Sequence, residues 1–326
     1  MATDTDLVQI IRGDHLESAH RGQAVICDGS GQVIEAWGDA ERVLYPRSSA
    51  KMIQALPLLE SGAGRSLTDR HLAFACASHR GQAIHTELAA EWLADLGASE
   101  DDLRCGSHAP FGPEAAADLI RSGESPCQLH NNCSGKHCGF VTVARHLGAG
   151  PEYIEPDHPV QKGALAALEE VTGVDSPYFC IDGCSAPNHA TRLDAFAGAM
   201  GRFARARAGG DTRSDAMARL VKAMASHPDL VSGAGGADTR LMQAMGGAGV
   251  VKTGAEGVYI AILPELDRGI ALKISDGTTR ASEALIAALL VHVGALPADA
   301  PVVKDLTHGP MCNARGLVVG HMAVTL

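Results

Sequence analysis

Lysine is scarce in this chain: seven residues in 326, at positions 51, 136, 162, 222, 252, 273 and 304. Positive charge as a whole is in deficit, 27 Lys and Arg against 38 Asp and Glu, a net −11. The acids are dispersed rather than gathered in a tail, so nucleic acid and anionic membrane are excluded as main partners. No apolar run is long and unbroken enough to span a bilayer. The first twenty residues lack the basic start and apolar stretch of a secretion signal, so a cytoplasmic location is expected. Nine cysteines, an odd number, point to reduced thiols rather than a disulfide framework. There is no internal repeat or low-complexity linker. A single catalytic domain over 1–326 is therefore expected, and a 46% hydrophobic content suffices for a substantial core.

What is present suggests strands at both ends and helices between. Gln23–Asp28 and Gln32–Trp37 read as short strands joined by the turn-rich Gly29-Ser30-Gly31. A helical pattern runs from Ser48 to about Gly62, with Pro57 requiring a kink or an early end. The alanine-rich middle, about 85–225, predicts helices at His85–Leu96, Pro113–Ser122, His137–Leu147, Pro159–Thr172 and Asp215–Ala225. Beyond it, Val250–Val251, Gly257–Leu263 and Gly269–Ile274 read as strands, with a hairpin turn at Glu265–Arg268. A helix at Arg280–Gly294 and a strand at Gly316–Val324 close the chain. The expected class is α+β, an antiparallel sheet built from both termini and packed with a largely helical middle.

Three of the seven lysines fall in motifs that could carry chemistry. Ser48-Ser49-Ala50-Lys51 places a hydroxyl and an amine three residues apart on one helical face, where a neutral amine could activate the serine. Lys252-Thr253-Gly254, ahead of a strand-like run, supplies the second half of the S-x-x-K plus K-T-G set of acyl-serine enzymes. Each lysine alone is equally an ordinary surface residue. Ser78 and His79 follow an apolar run, either as functional loop residues or as a cap for the helix near His85. In Gly254-Ala255-Glu256-Gly257, Glu256 could hold a substrate ammonium, or the glycines could mark only a tight turn.

The densest segment is His130-Asn131-Asn132-Cys133-Ser134-Gly135-Lys136-His137-Cys138. Its amides and imidazoles could hold a substrate amide or carboxylate, and its thiols a metal, with Cys180, Asp182, Cys184 and His189 as further contributors. The spacing fits no standard zinc motif. Free cysteines are often small buried apolar residues, the expectation for Cys27, Cys76, Cys105, Cys127 and Cys312.

Taken together, Tyr45-Pro46-Arg47-Ser48-Ser49-Ala50-Lys51, Ala77-Ser78-His79, the 130–137 segment, Asp182-Gly183-Cys184-Ser185-Ala186-Pro187 and Lys252-Thr253-Gly254-Ala255-Glu256-Gly257 resemble the rhizobial-type L-asparaginase family. The resemblance runs from about residue 15 to the C-terminus. It implies hydrolysis of L-asparagine on a fold similar to serine β-lactamases and glutaminases, in a homodimer. It further implies two Ser-Lys pairs, Ser48 with Lys51 and Ser78 with Lys252, and a Zn2+ ion held by Cys133, Lys136 and Cys184. Arg47, His79, Asn132, Asp182 and Glu256 are the expected substrate-binding residues. A glutaminase, a β-lactamase-like hydrolase and a zinc or thiol sensor are the alternatives.

Overall fold

A computed structural model describes residues 4–326. The chain divides into two compact units, each assembled from separate stretches of sequence. The first comprises residues 1–49, 192–205 and 240–326. It is built on an antiparallel sheet whose strands come from both ends of the chain, as the sequence suggests. In spatial order the strands are Pro310–Cys312, Val318–Val324, Thr5–Arg12, His15–Asp28, Arg268–Ile274, Val258–Leu263 and Val250–Gly254, and Val33–Trp37 also pairs with His15–Asp28. The Arg268–Ile274 strand sits beside His15–Asp28 in unbroken register, with Ile270 opposite Ile26 and Leu272 opposite Ala24. Val258–Leu263 is buried at every position, which fits its continuous apolar sequence and a central place in a covered sheet.

The Leu193–Arg205 helix packs on this sheet with nine buried residues, among them Phe196, Met200 and Phe203. Glycine sets how close it comes. A Cβ on Gly269 would lie 2.0 Å from the Gly201 nitrogen, and one on Gly201 would lie 2.1 Å from the Asp28 carbonyl. The helix ends in Arg202 and Arg205, and Arg205 pairs with Asp267 in the turn before Arg268.

The second unit comprises residues 50–191 and 206–239 and is mostly helical. Pro113–Ser122 and Pro159–Thr172 start on a proline and end before a left-handed glycine, Gly123 and Gly173. Such ends are written plainly in sequence. The expected Ser48–Gly62 helix is broken instead: a 3-10 turn at Arg47–Ala50, then Lys51–Gln54, then Leu56–Glu60. Pro57 lies in the first turn of the last segment, where its missing N–H leaves no helical bond unmade. The helical middle is interrupted by a small hairpin, Phe179–Ile181 with Pro187–His189.

All nine cysteines are free thiols. Cys27, Cys76 and Cys105 are buried as expected, but Cys127 is half-buried and Cys312 is exposed on an edge strand. Among the described residues no helix is long and apolar enough to cross a membrane.

Candidate active site

In the helical unit the site begins with a glycine. A Cβ on Gly135 would stand 2.2 Å from the Phe74 carbonyl, so only glycine lets the Ser134–His146 helix press on the end of Asp69–Ala75. That contact brings the chain at 77–78 beside the chain at 132, and the His79 N–H donates to the Asn132 carbonyl at 3.2 Å. The Lys51 amine, only 1% exposed, lies against both segments. Its partners are the Ala77 carbonyl, the Asn132 carbonyl at 3.4 Å and the Ser78 hydroxyl at 3.1 Å. Ser48, the expected partner, is not among them.

This partner set has chemical meaning. Carbonyls only accept, whereas a hydroxyl donates or accepts. A neutral amine offers two N–H groups and one lone pair, which match two carbonyls and the Ser78 O–H. The protonated amine donates to all three. The three partners can therefore be matched by either form of the amine.

The backbone around Ser78 is already engaged. The Ser78 N–H donates to the Val231 carbonyl at 2.9 Å, and the His79 N–H is used as described above. Neither is free to stabilise an oxyanion on a group attacked by Ser78.

The neighbouring side chains are fixed by a dense network. His79 is fully buried: its Nδ1 accepts from the Gly81 N–H at 3.1 Å, so its Nε2 donates to the Ser134 hydroxyl at 2.8 Å. Burial, with the charges of His85 and Lys51 nearby, holds His79 well below the usual histidine range. Asn131 donates to the Cys105 and Gly106 carbonyls and accepts from the Cys133 N–H, clamping the turn before the helix. His108 Nε2 accepts the Asn132 N–H at 3.0 Å while its Nδ1 donates to the Ala109 carbonyl. Gly135, Asn131 and His108 are structural contributors that the sequence did not single out. For Gly135 and Asn131 the signal was their place in the 130–137 motif; for His108 there was none.

Cys133, Lys136 and Cys184 lie near one another in the helical unit. The Lys136 amine donates to the Cys184 sulfur at 3.0 Å, deep in the unit. Cys184 arrives on the turn of the 179–189 hairpin, where Ser185 adopts φ +69° and its N–H donates to the Asp182 carbonyl. A hydrogen bond from Cys133 draws the Cys184 thiol well below its ordinary range, burial opposes this, and the Lys136 charge assists. Cys133, as donor and buried, is raised. Burial would lower Lys136, but the Cys184 and Cys133 sulfurs prevail and its pKa is raised. The Asp182 carboxylate accepts from the Gly183 N–H at 2.8 Å and adds to the field on Lys136.

Two sulfurs and an amine nitrogen are a donor set suited to zinc, given that Cys133 and Lys136 yield their protons. No cluster of three or more His, Cys, Asp or Glu able to hold a metal exists among the described residues. The lysine would therefore have to be the third donor.

The other expected residues belong to the sheet unit. Arg47 (φ +54°) opens the 3-10 turn that carries the half-buried Ser48. The Ser49 hydroxyl donates to the Pro46 carbonyl at 2.5 Å. The end of the Val250–Gly254 strand lies against this turn: a Cβ on Gly254 would come within 2.7 Å of the Pro46 carbonyl and 3.2 Å of the Ser49 nitrogen. Lys252 on that strand is fully buried and donates to the Thr253 carbonyl at 2.8 Å. Glu256 is exposed at φ +61°, and its carbonyl accepts from Lys273.

A family model described as L-asparaginase II matches residues 8–324. Curated proteins provide no match. Among solved structures, the chain is similar to a β-lactamase from Mycobacterium bovis at 16% identity and TM-score 0.46, covering 83% of this chain and 94% of that one. It is similar to Mglu in its tris and glutamate form at 13% identity and TM-score 0.49, over 86% of this chain and 60% of that one. A class C β-lactamase from Rhodobacter sphaeroides matches at 13% identity and TM-score 0.45, over 83% and 94% of the two chains.

Proposed function

Because the chain belongs to the L-asparaginase II family, we propose that it hydrolyses the side-chain amide of L-asparagine to L-aspartate and ammonia by acyl transfer through a serine. The observation that carries this reading is the buried Lys51 amine with two carbonyl partners and one hydroxyl partner. That arrangement is a general base with a proton relay attached.

Ser48, three residues before Lys51 in the chain, is the acylated serine in this reading. Ser78 is the relay rather than the nucleophile, since the N–H groups of Ser78 and His79 are occupied. The attacking hydroxyl forms an ester bond to the amide carbonyl carbon, and its proton passes to the Lys51–Ser78 couple. The same couple returns that proton to the departing nitrogen, releasing ammonia. Water then adds to the ester, the couple takes its proton and returns it to the Ser48 oxygen as the ester C–O bond breaks, and aspartate leaves with the serine hydroxyl restored. Arg47 is assigned to the substrate α-carboxylate, and Asp182 or Glu256 to its ammonium. Asn132 and His79 frame the relay, and Lys252 is the second amine of the expected pairs.

Cys133, Lys136 and Cys184 would hold zinc, which when bound supplies fixed positive charge and order rather than the nucleophile. Whether glutamine is also cleaved depends on one methylene, a difference of ~1–3 kcal/mol.

The test is ammonia release from L-asparagine and L-glutamine, with mass mapping of the ester trapped by acid quench. Asparagine-selective release with the ester on Ser48 supports the reading. An ester on Ser78 would reverse the two serine roles, and no release from either amide would remove the asparaginase proposal.

A further inference from the structure

Glu256 stands in a backbone conformation that a glutamate rarely takes. It is the middle residue of the turn between Val250–Gly254 and Val258–Leu263, at φ +61°, and Gly257 follows at φ +70°. The left-handed region is unfavourable for an L-residue, and such outliers gather where function fixes a side chain. Three contacts keep Glu256 there. The Lys273 amine, on the adjacent Arg268–Ile274 strand, donates to the Glu256 carbonyl. The Ile274 N–H donates to the Gly257 carbonyl at 2.9 Å. Gly277, at φ +78°, leaves open the space beside the Glu256 side chain: a Cβ there would lie 2.7 Å from Oε2 and 3.3 Å from Cα.

The turn that carries Gly277 is itself tied down. Asp276 accepts the Thr278 N–H at 2.9 Å and the His20 Nδ1–H at 2.6 Å, while Arg280 donates to His20 Nε2 at 3.2 Å. The Ser275 N–H donates to the Arg21 carbonyl at 2.8 Å, and the Ser275 hydroxyl accepts from Arg42 at 2.9 Å. On the far side of the Glu256 turn, Gly254 lies against the Pro46 carbonyl, one residue before Arg47. Arg47 and Glu256, both at positive φ, are therefore carried on adjoining turns of one unit. A free α-amino acid presents the complementary pair, a carboxylate and an ammonium on one carbon.

We propose that Lys273 is a positioning residue: by holding the Glu256 carbonyl it aims the Glu256 carboxylate at the substrate's α-ammonium, and so restricts the enzyme to free amino acid amides. This role rests on the proposed asparagine chemistry and takes Glu256 rather than Asp182 for the ammonium. Lys273 acts through the backbone of Glu256 and touches no reacting atom. Gly277 serves the same end by leaving the carboxylate its place over the 275–278 turn.

The test compares ammonia release by the full-length protein from L-asparagine, from succinamate, which lacks the α-amino group, and from N-acetyl-L-asparagine, whose nitrogen carries no charge. The wild type should prefer L-asparagine to both. Glu256→Gln should cut the ratio of kcat/KM for L-asparagine to that for succinamate by about 10–100-fold, as loss of a charge-assisted contact does. Lys273→Met should cut the same ratio about tenfold, through KM more than kcat. Lys273→Arg, whose N–H groups still reach the carbonyl, should restore most of it. A Lys273→Met loss that falls equally on L-asparagine and succinamate would mean a merely structural role and overturn the proposal. A ratio unmoved by Glu256→Gln, no rescue by a Lys273→Arg variant with wild-type circular dichroism, or equal cleavage of all three amides by the wild type would overturn it too. If the wild type cleaves none of them, the asparaginase reading falls, and calorimetric titration with L-aspartate and succinate decides the role of Lys273. A preference for aspartate that Lys273→Met loses and Lys273→Arg keeps supports it; no preference in the wild type, or one that Lys273→Met retains, overturns it.

Discussion

At Lys51, the important property is the identity of its neighbours rather than its distance along the chain from Ser48. Lys51→Met conserves length and burial but removes the proton acceptor, so kcat for ammonia release should fall by ~10²–10⁴ with little change in KM. It also leaves the Ala77 carbonyl without its amine donor, so a loss of ~1–3 kcal/mol in urea denaturation should accompany the kinetic effect. Ser78→Ala removes only the relay. Steady-state turnover should drop, while an acid-quenched ester on Ser48 still forms, and denaturing mass spectrometry reads the difference. Residues of this kind were visible in sequence because their chemistry is written in short motifs: Ser48, Ser78, Lys51 and the 133–136 segment all stood out. Their pairing was not visible. The i, i+3 spacing suggested Ser48 for Lys51, whereas Ser78, 27 residues away, is what the amine meets in the fold. Tyr153 and His108 carried no signal, since each acts through hydrogen bonds to residues distant in the chain, Arg104 and His137 for Tyr153 and Asn132 for His108.

Among the elements, legibility followed how an end is encoded. Pro113–Ser122 and Pro159–Thr172 match their sequence expectations to the residue, because proline at the start and glycine at the end act locally. The strand Thr5–Arg12 and the helix Leu193–Arg205 went unread. The first has burial set by neighbours on both sides, and the second carries the alanine-rich composition of the whole middle region. Glycine at element contacts was similarly opaque, since its meaning is the atom that sits where a Cβ would be. Gly135 provides a direct test. Gly135→Ala drives a methyl into the Phe74 carbonyl and should cost ~1–3 kcal/mol by overpacking. It should also displace the Asn132 carbonyl from Lys51, lowering kcat; equilibrium unfolding and ammonia release on one sample measure both. The junction of the Ser134–His146 helix with the 179–189 hairpin is where zinc would bind. Added zinc should raise the melting temperature in proportion to the logarithm of its free concentration. Cys184→Ser should abolish that dependence while leaving the helical circular dichroism in place.

Across the whole molecule, the balance of charge and the state of the buried histidines govern the response to acid. The α+β layout was readable from the two ends because strand-like runs flank a helical middle, but the division into two compact units was not. Residues 192–205 and 240–326 join the first 49 residues only through three-dimensional packing, which no local pattern records. Within the helical unit, His79 and His85 are buried and stacked with ring centroids 4.7 Å apart. Desolvation lowers both from their ordinary value of 6.5, and for His79 the neighbouring charges add to it. The unfolded chain therefore binds more protons than the native one once the pH drops below 6.5. Stability that is fully present above that value is lost as pH falls from there toward the depressed native pKa of each ring. The loss is at most about 1.4 kcal/mol per pH unit for each ring. Guanidinium or urea unfolding at pH 7.5, 6.5, 5.5 and 5.0 should show a midpoint that is flat at first and then declines. His85→Gln, which cannot take up the proton, should flatten the decline in proportion to one ring. A midpoint that rises on acidification would mean that these rings are charged in the native state, contrary to their burial and to the neutral tautomer that places the Nε2 proton of His79 on Ser134.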